Sequence, residues 1–263
     1  MTDVQAPAGQ FREALAELPL STRIVEGEAG AVVVVPGGSG WVDAALDAAS
    51  AGAIAVIVSR PGFAPAADIR RLEDSVRVPV VTERALLRPD SAGDATAGRL
   101  TDSGWAAPRL LVADGIALSG LVPVVARDAV GWLRVLAGDD LDMVGTDGEL
   151  ALLETLGGIA ATLSVVMTQR SGDGLIRAQA LGEVLSEIEV DRGRTRVRTS
   201  TALGSMSAPD RLESSARLAV RRTLAALDAG ERPDDLHRLV ADTVLVEQML
   251  SVKVDSARRL MLL

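Results

Sequence analysis

The sequence predicts a parallel-sheet α/β domain followed by an α+β domain with an open-faced antiparallel sheet and flanking helices. Three observations predict this. The stretch from Ala31 to Pro61 reads as strand, glycine turn, helix, strand, the βαβ crossover of nucleotide-binding α/β domains. The residues from Leu150 to Thr199 read as a series of strands joined by short turns. Two long helical patterns then close the chain, and strands between helices indicate the α+β class. The boundary falls in a stretch rich in Gly, Ser, Ala, Thr and Asp that ends at Gly104. The domains are therefore residues 1–104, a shortened Rossmann-like domain, and residues 105–263.

The elements follow in order. Thr2 to Gly9 reads as a loose tail. Gln10 to Leu18 spaces Phe11, Leu15 and Leu18 on one helix face. Thr22 to Val25 reads as a short strand. The valine and isoleucine runs from Ala31 and Ala53 are continuous rather than alternating, which suits parallel strands covered on both faces. Between them, Val42, Ala45, Leu46 and Ala49 form one helix face, and Gly52 stands at the C-terminal cap. Ala67 to Ser75 is a helix, Arg77 to Val81 a strand and Thr82 to Leu87 a short helix or turn. Pro89 to Gly104 lacks apolar periodicity and reads as a linker or boundary loop.

In the second domain Arg109 to Ser119 is a strand, Asp128 to Leu136 a helix ended by Gly138, and Leu141 to Thr146 a strand. Gly157-Gly158 joins two runs, Leu150–Leu156 and Ile159–Gln169, as a hairpin. Leu175–Leu181, Leu185–Val190 and Thr195–Thr199 continue the sheet. Helices over Pro209–Ala229 and Asp234–Val252 complete it.

Composition removes several function classes. The chain has 263 residues, no cysteine and one histidine, His237. Thiol chemistry, disulfides and multi-histidine metal sites are excluded, and no metal is expected. A net charge of −9 and 2% aromatic residues argue against nucleic acid as a partner. No stretch of about 18 apolar residues exists to span a membrane. The start, Met1-Thr-Asp3, does not read as a signal peptide, so a cytoplasmic location is expected. Lys253 is the only lysine. A mechanism that needs a catalytic lysine therefore has one candidate, near the C-terminus.

The glycine turn has two readings. Gly38-x-Gly40-x-x-Asp43 keeps two glycines of the dinucleotide fingerprint and puts an anionic side chain at the third. A tight strand-to-helix turn capped by Ser39 or Gly40 explains the same residues. Arg192-Gly-Arg-Thr-Arg-Val-Arg198 reads as an exposed strand face, with an anion site as the alternative. Asp234-Asp235 reads as a helix cap. Trp132 reads as core, and Arg221, Arg222, Arg258 and Arg259 as helix surface. His237 reads as surface or cap, and Met206, Met249 and Met261 as core or tail fillers.

This order of elements resembles the Gfo/Idh/MocA family of NAD(P)-dependent sugar and cyclitol oxidoreductases. Ala31 to Pro61 is similar to its strand, loop, long helix and strand ending in Glu-Lys-Pro. Arg127-Asp-Ala-Val-Gly-Trp-Leu-Arg-Val-Leu-Ala-Gly138 is similar to its Leu-Arg-Trp-Leu-Leu-Gly-type helix end. Leu150 to Thr199 resembles its open-faced sheet, and Ala225-Ala-Leu-Asp-Ala-Gly-Glu-Arg-Pro233 its C-terminal pattern. The resemblance implies a dinucleotide cofactor and a lysine that polarises the substrate oxygen.

The departures fall where that chemistry should be. The opening strand and glycine fingerprint have no evident counterpart before Ala31. The Glu-Lys-Pro motif reads Ser59-Arg60-Pro61, and arginine does not cycle a proton near neutral pH. The family's loop histidine falls at Trp41. Its catalytic acid and histidine, one helical turn apart, fall near Val124 and Asp128. The expectation is thus a protein without its own hydride transfer, with no cofactor, acting as a non-catalytic subunit or modulating paralogue. The alternative is an NAD(P)-dependent oxidoreductase acting on a sugar, cyclitol or related polyol. In that case Arg60 and Asp128 are the catalytic candidates, and Gly38, Gly40 and Trp41 the cofactor-binding ones. Arg60 is expected beside the sheet crevice, with a bidentate carboxylate contact. Both parities of Ile159 to Met167 are apolar, so one face of the second sheet lacks an evident cover. A homodimer, or a heterodimer with a family member, through that sheet is expected.

Overall fold

The computed structural model describes residues 1–7, 9–102, 104–147, 150–169, 172 and 174–260, with the backbone alone over 252–260. Met261 lies outside the described residues, as do the side chains of Lys253, Arg258 and Arg259. The chain forms two units, Met1–Ala85 with Leu212–Ala241, and Leu86–Arg211 with Asp242–Leu263.

The first unit holds a five-stranded sheet in the order β2-β1-β3-β4-β5. Its strands are β1 (Thr2–Gln5), β2 (Thr22–Ile24), β3 (Val32–Pro36), β4 (Ala55–Ser59) and β5 (Val80–Glu83). Every pairing is parallel. The expected tail is therefore wrong: Thr2–Gln5 is an internal strand, paired on both sides, with Val4 fully buried. With α1 (Gln10–Ala16) it completes an opening βαβ unit. Its one apolar side chain, Val4, is too little pattern to announce a strand.

Helices α2 (Trp41–Ser50) and α3 (Ala66–Ser75) pack on each other. Helices α1 and α6 (Ser215–Ala229) pack together, and Phe11, Leu15, Ala216 and Val220 share a core with Val4, Val34, Ile57 and Val81. Ser214, not Pro209, starts α6: its hydroxyl accepts the Arg217 amide. β5 is an edge strand, and Asp235 covers part of it by accepting the Thr82 amide at 2.8 Å. The same carboxylate holds Arg222 at 2.6 Å, so Arg222 is an internal clamp rather than the surface charge expected. Asp235 opens α7 (Asp235–Leu260).

The second unit begins with α4 (Pro89–Ala97) and the small hairpin of β6 (Leu100–Thr101) and β7 (Gly104–Trp105). This corrects the expected linker. Small side chains, Ser91 and Ala95, form the buried face of α4, so no large apolar period marks it.

Eight strands follow in the order β15-β14-β13-β12-β8-β11-β10-β9. They are β8 (Leu110–Ala117), β9 (Leu141–Asp147), β10 (Leu150–Thr155), β11 (Ala160–Met167), β12 (Leu175–Leu181), β13 (Leu185–Asp191), β14 (Arg194–Thr201) and β15 (Gly204–Ser207). The sheet is mixed rather than antiparallel, because β11 pairs parallel with β8. Helix α5 (Val122–Ala137) packs on β8, β11 and β12 and buries Trp132 completely, as expected of a core residue. Met206, expected as filler, is 66% exposed on β15.

Candidate functional site

Open α/β sheets take ligands at the carboxyl ends of their strands, where the strand order reverses. In the first unit that point lies between β1 and β3. Three loops meet there. The turn after β1 runs Ala6-Pro7 to Gly9, whose φ of 101° precedes α1. The turn after β3 is Gly37 to Gly40. The third loop, after β4, is Ser59-Arg60-Pro61-Gly62.

The last two loops are stitched together. The Gly37 amide donates to the Ser59 carbonyl and the Gly62 amide to the Gly37 carbonyl, both at 2.7 Å. Side chains are barred at both glycines: a Cβ on Gly37 would collide with the carbonyls of Ser59 and Arg60, and one on Gly62 with that of Gly37. The indole of Trp41 is buried and donates to the Gly62 carbonyl at 3.2 Å. Gly40, with φ of 76°, is the left-handed residue that starts α2. The structure thus brings Gly38, Gly40, Trp41 and Arg60 to one double loop. Arg60 follows the last residue of β4, at the predicted end of the strand, with φ of 50° and its amide donated to the Glu83 carbonyl.

Glu83, the last residue of β5, is the group that sequence reasoning missed. Its carboxylate is buried and accepts hydrogen bonds from the Ser59 hydroxyl at 2.8 Å and the Gln10 amide at 3.2 Å. It also accepts one from the Ser215 hydroxyl. One anion therefore ties the end of β4 to the first residues of α1 and α6. The only sequence signal is an acidic residue closing the apolar run Val78-Pro-Val-Val-Thr-Glu83.

Asp128 lies in the second unit, on α5, almost fully buried beside the equally buried Arg127, whose Nε stands 3.4 Å from its Oδ1. Val124 is one helical turn earlier, so no second titratable group stands at that position. His237 is exposed, 3.5 Å from Glu73. Among the described residues no group of three or more His, Cys, Asp or Glu is placed to hold a metal, and no helix is long and apolar enough to cross a membrane.

No family model and no curated protein matches the sequence. Solved structures do match the fold. A dehydrogenase from Chromobacterium violaceum aligns over 99% of this chain and 96% of its own, with a TM-score of 0.67 and 14% identity. The UDP-N-acetylglucosamine 3-dehydrogenase of Acidithiobacillus ferrooxidans aligns over 94% and 95%, with a TM-score of 0.64 and 14% identity. A 3-ketoreductase from Actinomadura kijaniata, solved with NADP and TDP-benzene, aligns over 95% and 89%, with a TM-score of 0.61 and 16% identity. At such identities the likeness shows the fold: a parallel-sheet unit and a mixed-sheet unit, the two-domain arrangement that the Gfo/Idh/MocA resemblance implies.

Proposed function

We propose that this chain uses an oxidoreductase fold to bind rather than to transfer hydride, as a non-catalytic subunit or a paralogue that modulates an active relative. The observation that carries this is the buried Glu83 carboxylate, held by Gln10, Ser59 and Ser215 at the carboxyl edge of the sheet. A pyrophosphate is drawn to free amides and positive dipoles, and a carboxylate opposes it. The turn after β1 does not fit such a group either. Pro7 carries no N–H, and Ala6 and Phe11 are packed into the core where a fingerprint needs glycine. Oxidation of an alcohol also needs a group to take its proton, and Arg60 does not serve at neutral pH.

The comparisons weigh toward a second reading, an NAD(P)-dependent oxidoreductase acting on a sugar, cyclitol or related polyol. Dehydrogenases and a reductase solved with NADP align along nearly the whole chain. Glu26 stands two residues past β2, and a carboxylate after the second strand binds ribose hydroxyls in dinucleotide sites. Under this reading NAD(P) is the cofactor, Arg60 anchors substrate or phosphate, and Asp128 is the acid–base group.

One experiment separates the two. NADH and NADPH are titrated into purified protein by fluorescence and calorimetry, with turnover assayed on a panel of sugars and polyols. The first reading expects no turnover and no tight binding. Tight binding with turnover of any member sinks it in favour of the second.

A further inference from the structure

Glu83 closes β5 and is 3% exposed. Taking a carboxylate out of water is costly unless a cation answers it, and buried charges are as a rule paired. Asp128, Asp235 and Asp242 are the other carboxylates buried to this degree among the described residues, and each has an arginine. Asp235 holds Arg222 at 2.6 Å, Asp242 holds Arg134 at 2.9 Å, and Asp128 stands 3.4 Å from Arg127. Glu83 has no such answer among the described residues. Its partners are the Ser59 hydroxyl, the Ser215 hydroxyl and the Gln10 carboxamide, all neutral. The first turn of α6, which Ser215 opens, adds the positive end of a dipole but no whole charge.

The weakest of the three partners stands at the surface. Gln10, the first residue of α1, is exposed, and so are Pro7 and Gly9 before it. Its Nε2 lies 3.4 Å from Glu83 Oε1, 3.2 Å from Oε2 and 3.4 Å from the Ser59 hydroxyl oxygen. These are long against a usual N–H···O distance of about 2.9 Å. The reason is a mismatch in number. A carboxamide nitrogen carries two N–H groups, and three acceptors surround this one. It is shared thinly among them, whereas the Ser59 hydroxyl, with one proton for one oxygen, reaches Oε2 at 2.8 Å. A primary ammonium carries three N–H groups and the missing charge. At the Nε2 position it offers each acceptor one donor. A phosphate is repelled there, and a hydroxyl brings a single proton and no charge.

We propose that the crevice beside Glu83 binds the primary ammonium group of a small amine, and that the Gln10 carboxamide stands in for that group until the ligand displaces it. The inference rests on the reading of this chain as a binder and names the chemical class its crevice takes. Glu83 supplies the charge and two acceptors, and Ser59 the third. Ser215, donating to Glu83, holds the carboxylate in place. Gln10 gives way by rotating its exposed side chain into solvent, and the bonds it surrenders are the long ones.

The test uses methylammonium chloride as the probe, with sodium chloride and tetramethylammonium chloride at the same ionic strength as references. Sodium is the bare cation that oxygen atoms alone would hold, and tetramethylammonium has the charge without N–H donors. Melting temperature is followed against concentration for wild type, Gln10→Ala and Glu83→Gln, each first shown by circular dichroism to be folded, since a ligand of the folded state raises Tm as it saturates. Wild type is expected to respond to methylammonium and to neither reference. Gln10→Ala no longer competes for the site and is expected to bind about fivefold more tightly, the worth of one modest hydrogen bond. Glu83→Gln is expected to lose the response. Should that variant not fold, the wild type still decides: methylammonium is expected to move the Gln10 side-chain amide signals in a proton–nitrogen NMR spectrum, assigned by their absence in Gln10→Ala. Methylammonium curves equal to those of either reference overturn the proposal, as do fixed Gln10 signals or a response that survives in folded Glu83→Gln. Turnover of a sugar with NADPH sinks the binding reading and leaves these curves as they are, whereas flat curves without turnover sink this inference alone.

Discussion

Gly37 and Gly38 are neighbours in one glycine turn, yet the structure assigns them opposite sensitivities to alanine. A Cβ on Gly37 meets backbone, the carbonyls of Ser59 and Arg60, which cannot swing aside as a side chain can. To admit it, the β3 and β4 loops must part, breaking the Gly37–Ser59 and Gly62–Gly37 hydrogen bonds, both 2.7 Å. Two such bonds contribute about 1 kcal/mol each, and forced overpacking costs about 1–3 kcal/mol. Gly37→Ala is therefore expected to lose about 3–5 kcal/mol, a fall in Tm on the order of 10 °C for a chain of this size. Gly38 has open space around its Cα and no left-handed backbone, so Gly38→Ala is expected within about 0.5 kcal/mol of wild type. Thermal melting of the two variants side by side, with urea unfolding as a second measure, checks both. Equal melting temperatures for Gly37→Ala and wild type would refute the loop stitching. The pair also serves the functional question: if Gly38→Ala keeps its stability but loses affinity for NADPH, the glycine turn is a ligand loop after all.

Two further outcomes follow from charged groups in the second unit. For Asp90, burial pushes the carboxyl up, but hydrogen bonds and charge from Arg88, the Ser91 amide and Arg211 bring it below its ordinary value of 3.8. A carboxylate depressed in the folded state stabilises at pH above its unfolded value, and that stability is lost as pH falls through the folded value. Urea unfolding as a function of pH is expected to show a loss below about pH 4 that is shallower in Asp90→Asn, and identical slopes would count against the Arg88–Asp90 contact. Asp242 is fully buried and holds Arg134 at 2.9 Å. Removing one partner of a buried pair costs about 3–5 kcal/mol, so Asp242→Ala is expected to be among the more damaging polar substitutions, measurable as a lower urea midpoint.

The parts of the fold legible in the sequence are those whose pattern is local. The valine and isoleucine runs of β3 and β4 flank a helix with a regular apolar face, so Ala31 to Pro61 declares itself. The β10–β11 hairpin is marked by Gly157-Gly158, and α5 by Val130, Leu133 and Leu136. What failed was held by distant neighbours. β1 carries one apolar residue and is a strand because β2 and β3 pair with it on either side. Helix α4 packs through Ser91 and Ala95, whose smallness lets it approach the sheet and hides its period. In β11 both parities are apolar near the C-terminal end, so only α5, packing on one face, decides that Leu163 and Val165 are core and Val166 is surface.

The candidate site divides along the same line. The departures from the lysine and histidine that the resemblance implies, at Arg60 and Trp41, can be read residue by residue, because an absence needs no geometry. What stands there instead cannot be read this way. Glu83 acquires its role from Ser59, Gln10 and Ser215, which lie 24, 73 and 132 residues away in the chain. Its neighbour in sequence, Thr82, points its amide to Asp235 instead. The opening strand makes the same point more sharply. The fingerprint is not missing because the chain lacks the unit that carries it: β1, α1 and β2 are all present in parallel order. The turn between β1 and α1 carries Ala6-Pro7, and the Glu83 carboxylate accepts a hydrogen bond from Gln10, the first residue of α1. Val4, Phe11 and Leu15 share one core with Ala216 and Val220 of α6, so the packing of β1 and α1 is set by contacts that the local sequence does not show.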